Sequence, residues 1–277
     1  MIRKIIVDSC CDLTNELTEK LGVTYIPLTM MLGSKEFLDD ENLDLKGFMT
    51  DMKACKEKVG SAAPSPHLFQ DAIEKAKKSF VITLSEKLSG SYNSAVNGRD
   101  LAKESKDASA HVFDSKSAAA GEALIVIKLW ELLQSGMKDS IVIQTVNKFI
   151  DDMKTYFLLE NYDNLQKNGR MSKVVGSLAT ILNIKLLMGS DGNGSIALIS
   201  KQRGINKAID KIISLIKDSG RKIEGENLVI SHCNNSDLAE RLNETIRRLY
   251  NFKEIFIVPT KGISSLYADD KGVVLAF

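Results

Sequence analysis

Serine and glycine residues are concentrated in one short segment, Ser85-Glu86-Lys87-Leu88-Ser89-Gly90-Ser91-Tyr92. The segment lies between a predicted strand and a helix that we predict to begin near Asn93. A turn of small residues at the start of a helix exposes backbone N–H groups and hydroxyls together, and these groups stabilise an anionic oxygen. The pattern therefore has two interpretations, an anion-binding loop and an ordinary capped turn.

A second hydroxyl-bearing loop, Ser61-Ala62-Ala63-Pro64-Ser65-Pro66, also leads into a predicted helix. Ser65 suits the N-cap and Pro66 suits the first helical position, so Ser65 by itself is typical of a helix cap. If the two loops lie on the same edge of a sheet, their hydroxyls can converge on a single carboxylate.

His232 stands at the end of a predicted strand and is followed by Cys233 and Asn234. A histidine paired with a serine is an arrangement used in nucleophilic catalysis. The chain contains no Gly-x-Ser-x-Gly elbow, which favours a strand-end histidine that is hydrogen-bonded within its own loop. A hydrolase or transferase that uses Ser89 and His232 on a small acidic substrate is the alternative interpretation.

Nucleotide-binding motifs are missing from the sequence, which has neither a Walker A motif nor a Gly-x-Gly-x-x-Gly fingerprint. The glycine-rich run Gly189 to Gly194 joins two alternating segments and predicts a β-hairpin. The four cysteines have no Cys-x-x-Cys pair and no spaced histidine partners, which indicates reduced thiols without a metal. We therefore expect no cofactor.

The composition excludes several kinds of partner. Lysine and arginine total 37 against 36 aspartate and glutamate residues, so no strong field attracts nucleic acid or an anionic membrane. The apolar run Ala123 to Ile127 is broken by Lys128, far short of the roughly 20 residues that span a bilayer. The first residues lack the pattern of a secretion signal. We expect a cytoplasmic protein without stable membrane insertion.

The first half of the chain alternates β-branched runs with amphipathic segments, a pattern typical of β-α units around a mostly parallel sheet. Helices are predicted over Leu45 to Val59 and from Pro66 onward. The predicted strands are Ile5 to Val7, Thr24 to Ile26, Phe80 to Thr83 and His111 to Phe113. Ligands of such sheets bind beyond the carboxyl ends of the strands, where polar loops such as Asp8-Ser9 gather.

From about Tyr156 the pattern changes to strand pairs with longer polar connections, which indicates a second α/β domain with a mixed sheet and flanking helices. We predict two domains, residues 1–153 and 154–277. The N-terminal domain would carry the hydroxyl loops and the C-terminal domain would contribute to the binding pocket.

Six motifs together resemble the bacterial DegV family, which includes the fatty acid-binding FakB subunits of fatty acid kinase. The resemblance covers essentially the whole chain, and Leu-Ser-Gly-Ser-Tyr and Gly-Arg-x-Ser are its most specific parts. The motifs are VDSCCDL at residues 7–13, SAAPSP at 61–66, LSEKLSGSYNSA at 84–95, FDS at 113–115, NGRMS at 168–172 and SHCNN at 231–235.

The resemblance implies a two-domain α/β fold that holds one long-chain fatty acid between the domains and presents its carboxylate to a partner fatty acid kinase. It implies a lipid-binding protein that leaves the phosphoryl chemistry to the kinase. Ser61 takes the position of a threonine in the family, while Ala62 and Ala63 replace polar residues. The carboxylate ligands that follow from the resemblance are Ser61, Ser89, Gly90 and Ser91.

Four further residues are predicted to lie near the head group or to support it: Ser9, Arg170, His232 and Tyr267. Tyr267 stands where many relatives have a histidine, and a tyrosine hydroxyl can still donate a hydrogen bond. For Arg170 both a carboxylate contact and a structural role, binding backbone carbonyls or an aspartate such as Asp8, stay open. The segment after Arg170, with Val174, Val175, Leu178, Ile181 and Leu182, is predicted to form a helix that lines the acyl chain.

Overall fold

The computed structural model describes residues 3–105, 108–171 and 183–277. The described residues of the first half of the chain form seven strands and six helices. They are β1 (Lys4–Asp8), α1 (Asn15–Leu21), β2 (Val23–Ile26), β3 (Thr29–Leu32), β4 (Lys35–Leu38), α2 (Leu45–Ala54), β5 (Val59–Ala62), α3 (Pro66–Ala76), β6 (Lys78–Thr83), α4 (Ser91–Ser105), β7 (Ser109–Asp114), α5 (Ala120–Gln134) and α6 (Asp139–Asp152).

The second half, as far as it is described, contains six strands and four helices. They are β8 (Thr155–Leu158), α7 (Asp163–Lys167), β9 (Ile184–Ser190), β10 (Ile196–Arg203), α8 (Ile205–Asp218), β11 (Asn227–His232), α9 (Ser236–Leu249), β12 (Glu254–Pro259), α10 (Gly262–Ala268) and β13 (Val273–Ala276). The predicted domain boundary between residues 153 and 154 falls in the link from α6 to β8, and it stays a prediction.

The first sheet is entirely parallel, in the order β2-β1-β6-β7, which confirms the predicted parallel sheet. Its central strands are buried on both faces because helices cover both sides, as expected for parallel sheets. The carboxyl ends at Asp8, Thr83 and Asp114 lie at one edge. This edge carries both the VDSCCDL motif and the serine-rich loop.

The second sheet has six strands in the order β10-β9-β8-β13-β11-β12. Only β11 and β12 pair in parallel, and the other pairings are antiparallel, so the predicted mixed sheet is confirmed. The predicted hairpin around Gly192 is also confirmed, because β9 and β10 pair in antiparallel fashion on either side of it.

A third, three-stranded antiparallel sheet in the order β4-β3-β5 was not predicted. The predicted helix over Leu45 to Val59 is too long: α2 ends at Ala54, and Val59 begins β5. The residues after Ala54 lack a continued apolar face, and Val59 pairs with Leu32 of β3. Strand pairing with a distant segment therefore overrides the local helical pattern. Its consequence is that Ser61 lies on a strand.

Helix α5 packs between the two large sheets. Every residue from Ala120 to Ile127 is buried, so this part of the helix is enclosed on all sides. Its core cluster joins Val7 and Ile82 of the first sheet to Val229 and Val274 of the second. Within the described part of the chain, no helix combines the length and the apolar content that crossing a bilayer requires.

Glu122 is a fully buried carboxyl in the first turn of α5. Burial is the largest cause that raises its pKa well above the ordinary range, and the nearby charge of Asp8 raises it further. The folded protein therefore keeps a proton on Glu122 at pH values where the unfolded chain has released it. Stability must fall as the pH rises from the ordinary carboxyl pKa of about 4.3 toward the raised value.

Replacing Glu122→Gln, which cannot ionise, is expected to remove this loss of stability. Its advantage in unfolding free energy over the parent protein should grow with pH by about 1.4 kcal/mol per pH unit, until the raised pKa is passed. Urea unfolding followed by circular dichroism at about pH 5 and pH 8 measures the difference. Glu244→Gln, at an exposed carboxylate, is the control. An advantage that is the same at both pH values contradicts the prediction.

Candidate functional site

A deep cleft lies between the elements of the first and second sheets. It encloses about 880 Å³ of empty space, counting its opening to solvent. Most of its wall is apolar. Representative apolar residues are Leu28, Leu84, Phe157, Leu159, Ile263 and Val274.

Ser61 and Ser89 both border this cleft, although they come from different elements. Ser61 lies on β5, and its Oγ is 2.8 Å from the phenolic oxygen of Tyr267. Ser89 lies in the loop between β6 and α4, where its Oγ accepts a hydrogen bond from the N–H of Ser91 at 3.2 Å. A Cβ built on Gly90 meets nothing nearer than Ala63 Cβ at 3.7 Å, so the loop is uncrowded at this position.

Asp8 holds the serine-rich loop at both ends. Its Oδ2 accepts from the N–H of Leu84 at 2.9 Å and from Ser91 Oγ at 2.6 Å, and its Oδ1 accepts from the N–H of Cys10 at 3.1 Å. Burial raises the pKa of Asp8, while these donors lower it. Ser91 is fully buried and does not border the cleft, so its hydroxyl acts on the shape of the loop.

Helix α10 forms another wall of the cleft and is held by Asp39. The N–H groups of Gly262 and Ile263 donate to the two oxygens of Asp39 at 2.9 and 2.8 Å. A Cβ at position 262 would be 2.5 Å from Asp39 Oδ1, so a larger residue there would displace this carboxylate. The helix then brings Ile263 and Tyr267 to the cleft.

Ser9 stabilises Asp39, the carboxylate that holds α10. Its buried Oγ accepts from the N–H of Leu28 at 3.0 Å, and its hydroxyl is among the donors that lower the pKa of Asp39, which burial raises. Ser9 does not border the cleft. Like Ser91, it acts through a carboxylate that positions a cleft element.

Arg170 borders the cleft beside Tyr267, with its guanidinium carbon 5.7 Å from the centre of that ring. Its Nε donates to the carbonyl of Leu88 at 3.1 Å, and its Nη1 donates to the carbonyl of Asn168 at 2.6 Å. These bonds match the structural role among the two predicted for it. Because it also faces the cleft, a charge contact with a ligand stays a prediction.

His232 lies away from this cleft and borders a separate cavity with Lys46, Lys53 and Thr260. Its Nδ1 accepts from the N–H of Asn235 at 3.3 Å, and burial lowers its pKa. The structure therefore does not bring His232 together with Ser89, and the alternative of a Ser-His reactive pair loses its geometric basis. His232 does not border the cleft, and its place near the head group stays an untested prediction.

Several cleft residues were not singled out by the sequence. Lys116 and Ser117 follow β7, and Thr155 begins β8. The polar Asp114-Ser115 pair, which follows the predicted strand His111 to Phe113, was the signal in the sequence that could have indicated Lys116 and Ser117. The tip of the β9–β10 hairpin also borders the cleft, at Gly194. The carbonyl of Gly194 accepts a hydrogen bond from Ser85 Oγ at 2.8 Å. The predicted lining helix over residues 174–182 lies outside the described residues.

The α/β fold and its largely apolar cleft define a small-molecule-binding protein. The profile of the DegV family, described as an uncharacterised protein family, matches residues 3–276. A DegV domain-containing protein of Streptococcus pneumoniae is 34% identical over 280 residues, covering 100% of this chain and 99% of the relative. The chain therefore belongs to the DegV family, as the sequence motifs predicted.

Two crystal structures are similar over the whole chain. A DegV family protein from Ruminococcus gnavus, solved with vaccenic acid, has a TM-score of 0.93 and 34% identity, covering 99% of each chain. The fatty acid kinase B3 protein of Streptococcus pneumoniae, loaded with linoleic acid, has a TM-score of 0.91 and 32% identity, covering 100% of this chain and 99% of that one. Both confirm the predicted fold.

Replacing Asp39→Ala is expected to release the start of α10, because two backbone donors lose a charged acceptor in a buried place. The expected loss of unfolding free energy is about 2 to 4 kcal/mol, and the amides of Gly262 and Ile263 should exchange faster with solvent. Urea unfolding and amide hydrogen exchange measure these changes.

Asp44→Ala is the matched control, since Asp44 accepts from the N–H of Gly47 at the exposed start of α2. Loss of an exposed cap costs about 1 kcal/mol. If Asp39→Ala costs no more than Asp44→Ala and leaves exchange at Gly262 unchanged, Asp39 does not position α10.

Proposed function

We propose that this protein binds one long-chain fatty acid non-covalently, with the carboxylate at Ser61 and Ser89 and the chain in the apolar cleft. The observation that carries the proposal is that these two serines, from separate elements, border the same cleft. No cofactor is required for this function. The relatives solved with vaccenic and linoleic acid support the same class of ligand.

The polar groups around Ser61 suit a carboxylate. Ser61 and Tyr267 share a hydrogen bond of 2.8 Å. The hydroxyl that accepts this bond keeps its own O–H free to donate a hydrogen bond to a ligand oxygen. Arg170 adds a positive charge on the same side, next to the ring of Tyr267. A carboxylate there would accept hydrogen bonds from neutral hydroxyls while it is stabilised by a nearby cation.

The acyl chain supplies most of the binding free energy. Removing about 14 methylenes from water at roughly 0.8 kcal/mol each gives on the order of 11 kcal/mol. Association costs at least about 4 kcal/mol of this, and each hydroxyl bond to the carboxylate adds about 1.5 to 3 kcal/mol at best. The head-group contacts therefore fix orientation and distinguish an acid from an ester or an alcohol.

Purified protein is expected to carry a fatty acid that denaturing extraction and mass spectrometry identify. Ser61→Ala and Ser89→Ala should each weaken binding of added palmitate or oleate by about tenfold, the value of one charge-assisted hydrogen bond. Isothermal titration with delipidated protein gives the affinities. Detection of no fatty acid, together with no binding of either added acid, rejects the proposal.

Ser65→Ala is the matched control for these variants. Ser65 is an exposed serine four residues after Ser61, in the link from β5 to α3, and its side chain makes no capping hydrogen bond. Its variant should bind like the parent protein. A loss at Ser65 equal to the loss at Ser61 would mean that the loop as a whole, and not the Ser61 hydroxyl, determines affinity.

We further propose that the bound carboxylate is presented to a separate fatty acid kinase, which transfers the γ-phosphoryl group of ATP to a carboxylate oxygen and releases ADP. The support is the similarity to the fatty acid kinase B3 protein. Ser61, Ser89 and Tyr267 border the cleft and are each partly exposed to solvent, which leaves the head-group region within reach of a partner. Phosphoryl chemistry then belongs to the partner.

Oleate-loaded protein, mixed with ATP and the catalytic subunit of a bacterial fatty acid kinase, is expected to yield acyl phosphate that hydroxylamine traps as the hydroxamate. Free oleate with the kinase alone should give none. Formation of equal product with and without this protein contradicts the proposed presentation, and it leaves fatty acid binding untouched because titration measures that separately.

A further inference from the structure

Two hydroxyls lie side by side in the wall of the cleft, outside the head-group cluster. Ser117 Oγ and Thr155 Oγ1 are 2.7 Å apart, and both residues border the cleft. Their residues are only 5% and 8% exposed. Ser117 lies between β7 and α5, and Thr155 begins β8, so the pair joins the two large sheets.

One of the two hydroxyl hydrogens has no hydrogen-bond acceptor within the pair. Each hydroxyl carries one hydrogen, and a separation of 2.7 Å accommodates a single hydrogen bond between the two oxygens. Among the residues that the structure describes, neither hydroxyl has a second hydrogen-bonding partner. Whichever oxygen donates within the pair, the hydrogen of the other needs an acceptor, and a buried donor without one is unfavourable.

Nearby polar groups are already engaged. The carbonyl of Ser117 accepts from the N–H of Ser85 at 2.8 Å and from Ser115 Oγ at 3.1 Å. The Nζ of Lys116 donates to the exposed carboxylate of Asp151 at 2.7 Å. Because that cation is paired at the surface, the hydroxyl pair is not a second carboxylate site, and the group that it suits is neutral.

We infer that the hydroxyls of Ser117 and Thr155 form a subsite for a neutral oxygen on the acyl chain, a hydroxyl or keto group away from the carboxylate. The inference rests on the proposed fatty acid function. An oxygen in the chain accepts the spare hydrogen, and a chain hydroxyl can also donate to a free lone pair of the pair. The ligand class is therefore a hydroxylated or oxidised long-chain acid.

The apolar surroundings make this oxygen distinguishable from ordinary chain atoms. Phe157 and Val274 also line the cleft, so a chain hydroxyl placed against these side chains would lose its bonds to water without replacement. A position that reaches Ser117 and Thr155 compensates this loss. Recognition should therefore depend on which carbon carries the hydroxyl.

Titration of stearate and a series of monohydroxystearates, each with its hydroxyl on a different carbon, tests the inference. In the parent protein one positional isomer should bind at least as tightly as stearate. In the double variant with Ser117→Ala and Thr155→Val, that isomer should lose about two- to tenfold relative to stearate, the effect of one neutral hydrogen bond. Thr155→Ser keeps both hydroxyls and should keep the preference.

Stearate, which has no chain hydroxyl, is the internal reference that separates failure of the proposed fatty acid function from failure of the Ser117–Thr155 subsite. If stearate binds to none of the proteins, the proposed fatty acid function fails. If stearate binds both parent and double variant but the ranking of the isomers is the same in both, the hydroxyl subsite is overturned. Binding of stearate to the double variant also shows that its cleft is folded.

Discussion

The hydrogen bonds from the amides of Gly262 and Ile263 to Asp39 join residues 223 and 224 positions apart in the chain. A carboxylate that is almost fully buried is stable only when donors compensate its lost hydration, so this contact admits little displacement. It fixes α10 against the third sheet, and α10 brings Tyr267 to within hydrogen-bonding distance of Ser61. Asp8 applies the same constraint to the loop that carries Ser89.

Both carboxylates act from outside the cleft, and this separation has a physical reason. A negative charge in the wall would repel a ligand carboxylate, while the same charge behind the wall can organise backbone and hydroxyl donors. Among the described residues, the charged groups that border the cleft are Arg170 and Lys116, and the Nζ of Lys116 is paired with Asp151 at the surface. The surface around the ligand is therefore apolar with hydroxyls and positive charge, which suits an amphipathic acid.

Much of the fold follows from local patterns in the chain. Short β-branched runs separated by amphipathic segments predicted the parallel sheet, and the glycine-rich turn at Gly192 predicted the β9–β10 hairpin. The motifs around Ser61 and Ser89 identified the family. These features are predictable because strand runs, caps and tight turns depend on residues that are close in sequence. The third sheet was missed because β5 forms only through pairing with the distant strand β3.

Residue types and spacing alone determined that the chain has hydroxyl-bearing loops at the ends of parallel strands, and the resemblance of its motifs to the DegV family predicted the family. Tertiary structure alone decided which hydroxyls share a cleft: Ser61 and Ser89 border it, Ser91 turns to Asp8, and His232 lies at another cavity. It also placed Thr155 beside Ser117. These outcomes depend on packing between elements far apart in sequence, because side-chain direction is fixed by the neighbours that a strand or helix meets after folding.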